Sequence, residues 1–120
     1  MATITPIHLD PAGTLTGTGK QITVAAVAST GTTIHKSVTG TTSFDKITLY
    51  ATNIDTVSIV LTIQWGGTAA GDETKISIPA QAGKTLVIDA ERLNNALFVY
   101  AYAGTANKIL ISGTVDRYVP

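Results

Sequence analysis

A chain of 120 residues suits one domain and is short for two. It has no cysteine, which excludes disulfides and thiolate metal sites. Its eight basic and eight acidic residues cancel, so no overall field favours nucleic acid or an anionic membrane.

Charged residues are 13% of the chain against about 25% in an average domain, and a weakly charged surface of this kind tends to associate with other protein. Thr, Ile and Val make up roughly a third of the residues, and β-branched side chains suit a pleated surface better than a helix. The first residues, MATITP, lack a basic segment followed by an apolar run, so no signal peptide is expected. No apolar run is long enough to cross a bilayer, and a protein made in the cytosol and soluble as made is expected.

Residues 1–20 read as an extended N-terminal arm. Pro6 and Pro11 interrupt a regular ladder, and the Thr-Gly alternation after Gly13 offers little to pack. An edge strand is expected around Ile4 to Leu9, in an arm that can be removed while the rest stays folded. A strand QITVAAVA follows, then a turn at Ser29-Thr30-Gly31, then a short strand TTIHKSV. Residues 47–65 alternate apolar and polar, pause at Asn53-Ile54-Asp55, and alternate again, which predicts a β-hairpin. Ile47, Leu49 and Ala51 share one face of its first strand. Val57, Ile59, Leu61, Ile63 and Trp65 share one face of its second. A short strand at Ile76 and Ile78 and another at Leu86 and Ile88 come next. DAERLNNA predicts one helical turn capped by Asp89, with Glu91 pairing with Arg92. LFVYAYA and KILISGTV close the chain, with Leu97, Val99, Ala101, Ile109, Ile111, Gly113 and Val115 inward. The pattern is that of an all-β, single-domain antiparallel β-sandwich, jelly-roll-like or Ig-like, of about eight strands over residues 21–120.

Catalytic equipment is sparse. His8 and His35 are the only histidines, 27 residues apart and without short ligand spacing, so a structural or surface role is expected for each, with no metal and no cofactor. No Ser sits in a G-x-S-x-G elbow, GTGK at 17–20 lacks the rest of a phosphate loop, and Gly71-Asp72-Glu73 lacks the regular oxygens of a calcium loop and reads as a solubilising loop tip. Phe98, Tyr100 and Tyr102 fall on the outward set of one strand. Three aromatics there predict a covered face, and they are the candidate subunit interface. Trp65 continues an inward set and reads as core. Ile4, Pro6, Ile7 and Leu9 are the candidate partner-contacting residues of the arm.

The stretches IHKSVTGTTSFDKITLYATNIDTVSIVLTIQWGG, ISIPAQAGKTLVI and LNNALFVYAYAGTANKILISGTVDR resemble a group of small tailed-phage virion proteins. The resemblance covers about residues 34–117 and rests on His35, Asp45, Ile47, Leu49, Ala51 and Asn53. It continues through Ile78, Pro79, Ala80 and Gly83 to Ala103, Asn107, Gly113 and Val115. It implies a head decoration (cement) protein that binds the outer capsid surface and stabilises the shell without catalysis. Its implied partners are the major capsid protein and copies of itself, a trimer being favoured, with no nucleic acid and no membrane. A neck, tail or fibre component is the alternative in the same class, and a carbohydrate-binding module using Trp65 or the Tyr100–Tyr102 face is the alternative outside it.

Overall fold

The computed structural model describes residues 2–120, and they fold as an all-β sandwich. Nine strands follow in chain order: β1 Thr3–Ile7, β2 Ile22–Thr23, β3 Thr32–Lys36, β4 Phe44–Asn53, β5 Ile59–Trp65, β6 Glu73–Ile78, β7 Lys84–Leu93, β8 Phe98–Ala103 and β9 Ile109–Val119. Between β5 and β6 lies a single 3-10 turn, Ala70–Asp72. One antiparallel sheet has the order β1-β9-β4-β7, with β2 beside β9, and the other has the order β3-β8-β5-β6. With the two-residue β2 set aside, this is the strand order of a jelly roll, two sheets woven from Greek keys.

The sequence-predicted hairpin at 47–65 is not formed. β4 pairs with β7 and β9, and β5 pairs with β6 and β8, so the two strands belong to different sheets. Asn53 turns the corner. Its side-chain amide donates to the carbonyls of Val57 and Ile78, at 2.9 and 3.0 Å, and its Oδ1 accepts the Asp55 amide. The chain therefore arches across the core instead of folding back within a sheet, and Val57, expected inside, is 58% exposed on the arch. Period-2 alternation is the same for both arrangements. The helical turn expected at DAERLNNA is strand instead. β7 runs to Leu93 with one bulge between Leu86 and Ile88 and another between Ile88 and Glu91, where Ala90 takes φ 54°. The turn that follows places Asn95 and Ala96 at φ 62° and 56°, which fits the two-residue turn that a sharp reversal requires.

Ile47, Leu49 and Ala51 of β4 meet Leu61 and Ile63 of β5, Val99 and Ala101 of β8, and Ile109, Ile111 and Val115 of β9 in one core. Gly113 sits where a Cβ would overlap the Thr48 carbonyl, so β9 lies close against β4 only because that position lacks a side chain. Leu97, expected inward, stays exposed just before β8 begins.

Residues 2–20, expected as part of an extended arm, are woven into the fold. β1 pairs with β9 from Val115 to Val119, and β2 continues the same lane opposite Leu110 and Ile111. Between them residues 8–21 leave the lane and cross to the other sheet. There Leu9 enters the core, the Asp10 carbonyl accepts the Lys36 amide at 3.0 Å, and the chain then returns. β1 is the first strand of the jelly roll. An arm that can be removed at residue 20 is therefore not what the pairing gives, because cutting there takes a strand and part of the core.

Candidate functional site

Four polar residues gather between the sheets beside the crossing segment. The ring of His35, on β3, is fully buried. Its Nδ1 accepts the Asp10 amide at 2.9 Å, and its Nε2 lies 2.7 Å from Asp45 Oδ2. With Nδ1 an acceptor, the ring proton sits on Nε2 and is donated to the Asp45 carboxylate. Asp45, on β4, also accepts the Val38 amide at 3.1 Å. Arg117, on β9, donates to it from Nε at 2.8 Å and from Nη2 at 3.0 Å. Burial opposes the charge on Asp45, but the hydrogen bonds from His35 and Arg117 and the Arg117 charge outweigh it, so its carboxyl is held below the usual value of 3.8. The hydrogen bond to Asp45 in turn raises Arg117. Both ring nitrogens of His35 are thus engaged, while His8 lies exposed on the crossing segment. Among the described residues no group of three or more His, Cys, Asp or Glu side chains is placed to hold a metal. The sequence offers His35 and Asp45 separately; what joins them to Arg117 is the β4–β9 register, which sets Asp45 opposite Arg117.

Phe98, Tyr100 and Tyr102 form an outward row on β8, each half-buried. Phe98 and Tyr100 stack at 5.5 Å with 14° between planes, and the Lys36 ammonium lies 5.7 Å from the Phe98 centroid. The Tyr102 hydroxyl donates to Glu73 at 3.0 Å, and Lys75 lies 5.4 Å over its ring. Gln64 in the adjacent strand is fully buried although it belongs to the outward set. It accepts the Gly31 amide and donates to Ser29 and Glu73. Much of this aromatic face is therefore covered by the chain's own loop and side chains, and Phe98 and Tyr100 are its open part.

The four arm residues divide. Ile4 is 66% exposed and Pro6 is exposed, both on the outer face of the five-stranded sheet. Ile7 is partly buried against the core and Leu9 is buried in it, so Leu9 is not free for a partner and Ile7 only in part. Beside Ile4 lies an aromatic cluster that the sequence does not reveal. Phe44 and Tyr118, opposite each other on β4 and β9, stack at 4.9 Å, and the Arg92 guanidinium lies 4.6 Å over Phe44. Arg92 covers this ring; the ion pair expected with Glu91 is not formed. Trp65, half-buried at the end of β5, borders a cleft of about 350 Å³ with Ile88, Thr74, Asp72 and Glu91.

Comparison with known proteins adds no name to these surfaces. No family model, no curated protein and no solved structure matches the chain.

Proposed function

We propose that the chain is a non-enzymatic structural protein of a virion, bound to the outer surface of the capsid, where it contacts the major capsid protein and its own copies and stabilises the shell. The observation that supports this reading is the placement of the residues that carry the resemblance to small phage virion proteins. His35 and Asp45 bind each other in the core, Asn53 turns the chain between sheets and holds the Ile78 carbonyl, and Gly113 admits β4 against β9. The resemblance thus lies in residues that determine the framework, which a relative would have to keep. The jelly roll is an architecture used in capsid and lectin domains, an analogy of fold and not of site. Phe98 and Tyr100 on one sheet, and Ile4 beside Phe44 and Tyr118 on the other, are apolar surfaces available to partners.

Particles purified from a host that carries the gene should contain the chain in a fixed, high ratio to the major capsid protein, and particles made without it should break at a lower temperature. A few copies per particle would move it to a neck, tail or fibre position. Its absence from purified particles would overturn the reading. Light scattering on the isolated chain should give the mass of three copies.

A second reading, a glycan-binding module, rests on the cleft at Trp65, where an indole lies beside Asp72 and Glu91. Binding on a glycan array that Trp65→Ala abolishes would favour it.

A further inference from the structure

The two sheets end in β1, β7, β3 and β6, and three of these edges are guarded. β1 carries Pro6, which has no amide hydrogen to offer a neighbour. β3 is covered by the crossing segment, whose Asp10 carbonyl accepts the Lys36 amide. β7 is bent by its two bulges. β6 has none of these devices. It is a regular run without proline or bulge and pairs only with β5, and among the described residues no loop main-chain group bonds the backbone of residues 74–77. A lysine often guards such an edge, but the Lys75 ammonium is turned back over the Tyr102 ring of its own sheet. The cleft at Trp65 opens beside this edge, its wall joining Thr74 of β6 to Ile88 and Glu91 of β7. Thr74 lies opposite the core residue Ile63, so it faces the core side of its sheet, as Trp65 does two residues beyond Ile63. A residue paired across from Thr74 on an added strand projects to that same side, and so into the cleft.

We propose that β6 receives an extended segment of a partner protein as an added antiparallel strand, with a Lys or Arg opposite Thr74 seated in the Trp65 cleft and an apolar residue opposite the half-buried Ile76. Main-chain pairing supplies the affinity, and the cleft supplies the choice of sequence. The wall sets the charge of the guest. It contains the Asp72 and Glu91 carboxylates, neither of them in an ion pair, and no basic side chain. The cations nearest in sequence, Lys75 and Arg92, stand over Tyr102 and Phe44 on the outer faces of the two sheets. The indole adds its own attraction for a cation, whereas a neutral sugar would leave both carboxylates without a countercharge. Every ladder of this fold is antiparallel, and a segment laid on β6 in that sense reads apolar-x-basic from its N-terminus.

The peptide acetyl-Thr-Val-Thr-Lys-Thr-amide, added to the full chain, tests this by amide NMR and by the fluorescence of the single tryptophan. Saturable changes are expected at the Trp65 indole and at the amides of residues 74–77, which should also exchange more slowly with deuterium. A dissociation constant on the order of a millimolar is expected for so short a guest. Replacing the peptide Lys by Glu should weaken binding about tenfold or more, since the cleft then opposes the charge. Glu91→Gln, at an exposed side chain with no ion pair to lose, should weaken the Lys peptide about threefold and leave its Gln analogue unchanged. N-methylation of alternate peptide amides should abolish binding in one frame and be tolerated in the other, because only every second residue of the guest faces β6 with its amide. Equal binding of the Lys and Glu peptides, or tolerance of methylation in both frames, overturns the site. Slow exchange at residues 74–77 that rises with protein concentration and needs no peptide overturns the choice of guest in favour of a second copy. A Trp65 response to maltotriose with none to the peptide overturns it in favour of a glycan.

Discussion

Two polar clusters, each drawn from several strands, stand in different solvent. His35, Asp45 and Arg117 meet between the sheets, where Asp45 and His35 are fully buried. Gln64, Glu73, Lys75 and Tyr102 meet on the outer face of the four-stranded sheet, where Lys75 is exposed. The hydrogen-bond lengths are not far apart; the surroundings are. Between the sheets an unmade bond leaves a charge with no water to take it, so the first cluster fixes which strands face each other. On the outer face water can replace the partners that Lys75 and Tyr102 lose, so that part of the second cluster tunes the surface without choosing the fold.

The largest expected effect follows directly. Asp45→Ala leaves the Arg117 charge, the His35 Nε2 proton and the Val38 amide without their acceptor, and it should cost about 3–5 kcal/mol in urea unfolding. Glu73→Ala should cost about 1 kcal/mol or less, because Gln64 keeps Ser29 and Tyr102 can bond water. Equal losses would show that burial does not set the two clusters apart. The crossing segment gives the next pair. Leu9→Ala should cost about 2–4 kcal/mol, as for a buried leucine in a segment with some room to settle, whereas Ile4→Ala should stay within about 0.5 kcal/mol. A small loss for Leu9 would return residues 1–20 to the status of a detachable arm.

The same contrast explains what the sequence discloses. Strand faces are legible, because a buried face has to alternate: Ile47, Leu49, Ile59, Leu61, Ile63, Val99 and Ile111 are all core. Which sheet a strand joins is not legible, because an arch at Asn53 and a hairpin there require the same alternation on either side. The second half of β7 is misread as a turn because its bulge brings Asp, Ala and Glu together and breaks the period at Ala90, while its first half, at Leu86 and Ile88, is read as strand. Of the arm, Ile4 and Leu9 look alike as letters. Only the crossing to β3 separates the exposed one from the buried one. The Asp45–Arg117 pair spans 72 positions and depends on the β4–β9 register, which no local pattern carries.

A gentler perturbation of the buried cluster is acid. The folded state holds Asp45 below its usual 3.8, so the unfolded chain takes up the proton first as pH falls. The stability this supplies is fully present above about pH 4 and is lost as pH drops through the lower, folded value. The loss should be smaller than that of Asp45→Ala, because a protonated carboxyl still fills its site and still accepts one hydrogen bond. Urea midpoints should therefore fall steeply below pH 4 in the parent chain, and less steeply in Asp45→Asn, which starts lower and has no proton to gain. Parallel pH profiles for the two chains would show that other carboxylates dominate the acid response.

A further small effect is expected on the outer face of the four-stranded sheet, and it separates stability from association. Tyr102→Phe removes the hydroxyl that binds Glu73 and Lys75 but keeps the ring on β8. Both partners reach water, so unfolding should shift by about 1 kcal/mol or less. Phe98 and Tyr100, farther along the same row, make no such bonds; they stack on each other and leave apolar area open. If that area meets a second copy, Tyr100→Ser should lower the mass measured by light scattering toward one chain, while Tyr102→Phe leaves the mass unchanged. A Tyr100→Ser chain with the parent's mass would remove this face from the contact between copies, and the Phe44–Tyr118 cluster beside Ile4 would then be the apolar surface to substitute next.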